Sequence, residues 1–228
     1  VMKVNLDLLG NYIALPDDPL AVRELLDDVG IEVKKDLGDG RFALELLANR
    51  GDHHCYAGIA TELSGRTGNE VSLPPWQTLS VGESPWPVQI ESDLCLVYTL
   101  TLLQTSDASR ALNPDTTAPL LAADLQSVHA AVDATNLANL ELGQPTHAFD
   151  ADRIDGPIVV RGSRPGEMAL PLFTEEAVEL PVGTLVIVDD KKVLAIAGVI
   201  GCEESKTTEH TTRMLLESAT FDPVAVRK

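Results

Sequence analysis

The chain has 228 residues, with 17 Lys and Arg against 35 Asp and Glu, a formal net charge of −18, and 44% hydrophobic residues. That length can bury one large core or two small ones, and the apolar share excludes a disordered acidic tail. The acidity argues against a protein that grips a nucleic-acid backbone by releasing counterions, so any polynucleotide must be held locally, weakly or by another component.

In chain order, a short apolar opening (Val4, Leu6, Leu8, Leu9) leads to a helix that Asp17 or Asp18 caps, Pro19 starts and Gly30 ends. Leu25, Leu26 and Val29 form its apolar stripe. A strand over residues 31–34, a Gly38-Asp39-Gly40 turn and a second strand over residues 42–47 follow. Asp52 is the expected cap of a helix that carries Tyr56, Ile59, Ala60 and Leu63 and frays at Gly65 and Gly68. Residues 1–72 thus read as a small α+β domain. Residues 73–87, with four prolines and two tryptophans, read as a linker.

Residues 88–228 read as a second, strand-rich α+β domain. Strands are expected at 88–91 and 96–103, the second apolar enough for a buried sheet. Residues 113–119 form a turn-rich approach to a helix that Pro119 opens, bearing Leu120, Leu121, Leu125 and Val128. A further helix over 133–142 stops at Gly143. Strands follow at 158–161, 184–188, 193–199 and 214–219, with a polar turn at 189–192. The fold class expected is therefore α+β, with no internal repeat and no low-complexity tract.

Cys55, Cys95 and Cys202 share no short spacing, which suggests neither a zinc site nor a disulfide framework, and a reducing cytoplasm is the default compartment. The first residues carry no basic stretch followed by a long apolar run, and no segment approaches the roughly 20 apolar residues of a membrane span. Neither a Gly-x-Gly-x-x-Gly nor a Walker pattern occurs, so nucleotide hydrolysis and a phosphate-bearing cofactor are not expected. His53 and His54, adjacent at a helix start, point apart and read as solvated or capping residues with no metal.

The stretch from Glu141 to Asp150 is more suggestive. Gly143 and Pro145 bracket a turn after a helix, which places His147 in a short irregular piece that can present a side chain to a cleft. A histidine packed in a loop and bonded to backbone is the plain alternative. Thr135 and Asn136 are either surface residues of their helix or part of the same chemistry. Glu217 has apolar neighbours on both sides, so alternation does not place it outward, and a buried carboxylate there is costly unless a ligand or donor meets it.

At these residues the sequence resembles a family. Val132-Asp133-Ala134-Thr135-Asn136, the block from Glu141 to Asp150, that from Leu194 to Gly201 and that from Leu215 to Pro223 resemble, in order and spacing, the editing domain of the β subunit of bacterial phenylalanyl-tRNA synthetase. Residues 2–36 and 42–68, with Asn49-Arg50-Gly51-Asp52 in place of the family's Asn-Arg-Pro-Asp, resemble the two halves of that subunit's first domain. The family inserts a tRNA-binding OB-fold domain between those halves, whereas here Gly38-Asp39-Gly40 joins them directly.

The resemblance implies hydrolysis of tyrosine wrongly esterified to the phenylalanine tRNA. It assigns Glu217, Gly198 through its backbone N–H, and Ala197 to the tyrosine side chain, and Thr135, Asn136 and His147 to positioning the ester and the terminal adenosine. The expected role is trans-editing of Tyr-tRNA(Phe), or of a tRNA carrying a related aromatic amino acid, by a freestanding module or short paralogue that does not charge tRNA by itself. Its partners would be the 3′ end of an aminoacylated tRNA, weakly held, and a protein partner or synthetase, with no membrane and no DNA. A non-catalytic paralogue that binds an aromatic amino acid or a protein is the alternative. The sequence departs from the family where Leu172-Phe173-Thr174 replaces a Leu-Asp-Gly turn, where 126–131 lack the usual arginine approach, and where Cys202 replaces a second glycine.

Overall fold

The structure, a computed structural model, describes residues 2–73, 86–105 and 113–227. The expected linker at 73–87 falls outside these residues except at its ends.

In chain order the elements are β1 (Met2–Asn5), α1 (Leu6–Gly10), α2 (Pro19–Asp28), β2 (Glu32–Gly38), β3 (Arg41–Glu45) and α3 (Tyr56–Thr67). Then come β4 (Val88–Ile90), β5 (Cys95–Gln104), α4 (Pro114–Ala122), α5 (Ala130–Leu142), β6 (Thr146–Asp150), β7 (Ile158–Gly162), β8 (Met168–Ala169) and β9 (Val178–Glu179). The chain closes with β10 (Leu185–Val188), β11 (Val193–Ile196), β12 (Ile200–Gly201), β13 (Arg213–Phe221) and α6 (Pro223–Arg227). This is a mixed α+β architecture. Among the described residues, no helix is long and apolar enough to cross a membrane.

By packing, the chain divides into two compact units. The first comprises residues 2–73, 113–128 and 133–145; the second comprises 86–105, 129–132 and 146–227. Helices α4 and most of α5 therefore belong with the N-terminal elements, although they follow the 73–87 stretch in sequence. Leu120 and Leu140 show why, since both sit in the core formed by Val4, Leu9, Leu26, Ile31, Phe42, Leu44, Tyr56, Ile59 and Leu63.

In the first unit the sheet runs β1-β3-β2. Local chemistry sets most of it: Asp18 accepts from the Leu20 N–H (3.0 Å) to cap α2, with Pro19 in the first turn. Gly38, Asp39 and Gly40 all take positive φ in the β2–β3 turn. Three local expectations fail. Asp52 does not cap α3, because residues 51–54 form a 3₁₀ turn and its carboxylate is drawn to Arg50 (3.0 Å); the cap is Cys55, whose Sγ accepts from the Gly58 N–H (3.3 Å). The helix also runs through Gly65 and ends at Gly68, left-handed at φ 76°. Likewise Pro119 lies inside α4 instead of opening it, since Pro114 already occupies the first turn, and Leu125 and Val128 fall beyond the helix.

The second unit holds a five-stranded sheet, β12-β11-β10-β7-β4, and a three-stranded sheet, β5-β13-β6. One core joins them, with Ile158, Val160, Leu185, Ile187 and Leu194 from the first sheet and Phe149, Leu215, Tyr98, Leu100 and Leu102 from the second. Val186, Val188 and Val193 pack on the opposite face, which is why β10 reads as an unbroken apolar run. Strand β5 is not buried throughout as its composition suggested. It lies at a sheet edge, and Leu96 and Val97 are more than half exposed while alternate residues face inward.

Candidate functional site

The site is built on β13, the central strand of the three-stranded sheet. Its register sets Glu217 opposite His147 on β6 and opposite Leu100 on β5, Leu215 opposite Phe149, and Ala219 opposite Tyr98. Directly paired residues share a face. His147, Glu217 and Tyr98 therefore project from the same face as Phe149, Leu215, Leu100 and Leu102, into the apolar core.

His147 is thus not in an irregular loop, as its flanking Gly143 and Pro145 suggested, but on strand β6, because five residues of that segment pair in register with β13. Gly143, at φ 72°, ends α5 before the strand begins.

The electrostatics of this face are those of polar groups without partners. Glu217 is 7% exposed, and among the described residues no side-chain hydrogen bond or ion pair meets its carboxyl group. Burial pushes that carboxyl up to about 7. Burial also lowers the His147 imidazole to about 4, so the ring is neutral at neutral pH. His147 Nε2 and the Tyr98 hydroxyl are sealed from solvent and have no hydrogen-bond partner. The Tyr98 phenol is pushed up, first by burial and then by Glu217 nearby. Interiors rarely leave such atoms unmet, and each exception asks for an explanation.

Two glycines shape the surroundings. A Cβ on Gly201 would overlap His147 Cε1 and come within 2.7 Å of Nε2, so the backbone of β12 lies against the imidazole and only glycine leaves it room. The imidazole also packs against Phe149 in a T-shaped pair, with centroids 4.6 Å apart. Gly198 turns β11 into β12 at φ 71°, and a Cβ there would come within 2.9 Å of Val226. Ala197 is buried beside it, and its N–H donates to the Leu185 carbonyl (3.0 Å).

The structure therefore brings His147 and Glu217 together on adjacent strands. Gly198 and Ala197 lie in the same unit, and Thr135 and Asn136 lie on α5 within the first. Sequence reasoning missed Tyr98. Its one signal is the inward set Tyr98-Leu100-Leu102, an aromatic with a polar handle on an otherwise apolar face.

His53 departs from its expected solvated state. It is 2% exposed, with Nε2 3.4 Å from Glu62, and both Glu62 and Asp52 are held by the Arg50 guanidinium. Atoms of Asp52, His53 and Glu62 lie close enough for one cation, yet Arg50 already supplies the positive charge. His54 is exposed.

Residues 94–228 match the B3/4 domain family. The phenylalanine–tRNA ligase β subunit of Dechloromonas aromatica (strain RCB) is 38% identical over 193 residues, covering 84% of this chain and 24% of that protein. The corresponding subunit of Neisseria meningitidis serogroup B is 35% identical over 219 residues, covering 92% and 28%. The chain thus spans about a quarter of the length of these relatives. Among solved structures, an N-terminal fragment of the phenylalanyl-tRNA synthetase β subunit from Pyrococcus horikoshii superposes with a TM-score of 0.53 at 17% identity, covering 98% of this chain and 69% of that one. That last likeness is one of fold.

Proposed function

The chain belongs to the B3/4 domain family, and from that premise we propose that it hydrolyses the ester between a hydroxylated aromatic amino acid and the 3′ end of tRNA, with tyrosyl on the phenylalanine tRNA as the first substrate. One observation carries the reading: the cross-strand pair of half-buried His147, whose Nε2 is sealed without a hydrogen-bond partner, and buried Glu217, whose carboxyl group meets no side-chain partner among the described residues.

A phenolic O–H donated to Glu217 supplies what that carboxylate lacks. A phenylalanyl side chain offers nothing and leaves the group desolvated, which is how a polar site rejects an analogue that lacks a hydroxyl. In the reaction water adds to the ester carbonyl, the bond to the ribose oxygen breaks, and that oxygen takes the proton. A base with its pKa at about 4 abstracts protons poorly at neutral pH, so His147 acts through Nε2 by hydrogen-bonding and orienting the ester. Because an aminoacyl ester is already activated, such positioning, helped by the neighbouring ribose hydroxyl, is sufficient chemistry. Thr135 and Asn136 take their roles from the resemblance alone.

The charge of −18 supports weak tRNA affinity with a shallow salt dependence, and a synthetase as the partner that delivers the tRNA. It also favours a second reading, an aromatic amino-acid-binding paralogue without turnover, as does the short β2–β3 turn with no domain inserted in it. The deciding measurement is amino-acid release from Tyr-tRNA(Phe) by purified protein. Release is expected, and Glu217→Ala should lower it by two orders of magnitude or more, roughly 10²–10⁴. No release above the uncatalysed rate, with identical behaviour of the variant, overturns the deacylase. Tyrosinamide binding without release would establish the second reading.

A further inference from the structure

Tyr98 has no role in the reading above, yet its surroundings are as unusual as those of His147. Among the described residues, the buried side-chain atoms left without a hydrogen-bond partner are the Tyr98 hydroxyl and His147 Nε2. Both belong to strands that flank β13, one on each side, and both side chains leave the sheet on the face that carries Glu217. A phenylalanine at position 98 would fill the same core position without leaving a hydroxyl unmet, so packing alone gives no reason for a tyrosine.

We propose that Tyr98 is a specificity-determining residue, its hydroxyl acting with the Glu217 carboxyl group as a two-point receptor for the hydroxyl of a phenolic ligand. The inference rests on the deacylase reading and deepens it. The tyrosyl hydroxyl of the substrate can donate one hydrogen bond and accept others. Glu217 in its carboxylate form accepts the ligand's proton, and Tyr98 donates to the ligand's oxygen. A ligand with a bare ring satisfies neither group, and one whose polar atom can only accept, such as a methyl ether, satisfies Tyr98 but not Glu217.

Tyr98→Phe removes a single oxygen and keeps the ring, so the protein should fold. Its thermal midpoint without ligand is expected to equal or exceed that of the wild type, because an unmet hydroxyl is gone. The ratio of kcat/KM for Tyr-tRNA(Phe) over Phe-tRNA(Phe) should fall by about tenfold, the size of one hydrogen bond. An unchanged ratio in a folded variant overturns the proposal, and so does a lowered midpoint, which would mean that the hydroxyl has a structural partner. Binding of L-tyrosinamide against L-phenylalaninamide separates this outcome from failure of the deacylase reading. If the wild type hydrolyses neither ester, a preference for tyrosinamide that collapses in Tyr98→Phe still supports Tyr98, and a preference left intact overturns it.

Discussion

Each compact unit sets a histidine beside a glutamate, and the two pairs are handled in opposite ways. In the first unit, His53 meets Glu62, and Glu62 and Asp52 are gripped by Arg50, so every charge has an answer. The Asp52 and Glu62 carboxyls are held below their usual range, in each case chiefly by the Arg50 guanidinium. In the second unit, His147 and Glu217 face apolar side chains and each other's strand, and both are pushed toward their neutral forms by desolvation alone. The same residue types thus form a closed network in one place and a set without side-chain partners in the other. What separates them is whether the hydrogen-bonding capacity is used inside the protein.

That contrast breaks most visibly with pH. The folded pKa of Glu217, about 7, lies above its unfolded value of 4.5, so its contribution to stability is intact below about 4.5 and is lost as pH rises through 7. The loss amounts to about 3 kcal/mol. Glu217→Gln should therefore be more stable than the wild type at pH 8 by roughly that amount, and little different at pH 4, in urea unfolding followed by circular dichroism. His147 has the opposite sign. Its pKa is depressed from 6.5 to about 4, so its contribution is present above 6.5 and falls away as pH drops through 4. With Glu217 replaced, a decline in stability below pH 6.5 should emerge that the wild type masks. Equal stability of Glu217→Gln and the wild type at pH 8 would show that the carboxylate has a partner, and the distinction between the two units would be lost.

Smaller effects sharpen the same comparison. Gly201→Ala drives a methyl group into the His147 ring and should cost about 1–3 kcal/mol of stability while slowing deacylation, because Nε2 can no longer hold its place. Activity that survives at the wild-type level would remove His147 from the reaction. Smallest of all is Glu62→Gln in the first unit. Arg50 and His53 keep a hydrogen-bonding neighbour of the same shape, and the pair is screened by solvent, so the thermal midpoint should move by no more than a few degrees and deacylation should not change.

Much of this molecule could be read from its sequence, and the failures share a pattern. Asp18 and Pro19 at the start of α2, the three positive-φ residues at 38–40 and the end of α5 at Gly143 all followed from chemistry within a few residues. Asp52 misled because a nearby arginine competed for its carboxylate, and His53 because the glutamate that meets it stands one helix further on. For His147, the flanking Gly143 and Pro145 point to a loop, whereas the residue lies on strand β6. The turn signals around it were real, yet the partner that makes it a strand lies far along the chain in β13.

By itself the sequence determined the α+β class, the longer helices and strands, and the family resemblance that points to His147 and Glu217, since caps, turns and alternation act over a turn or a few residues. The tertiary structure alone decided that α4 and α5 pack with the N-terminal elements, that His147 and Glu217 are cross-strand neighbours, and that Tyr98 joins them. Register and burial depend on residues distant in the chain, and a shift of one position would turn every one of these side chains to the opposite face of the sheet.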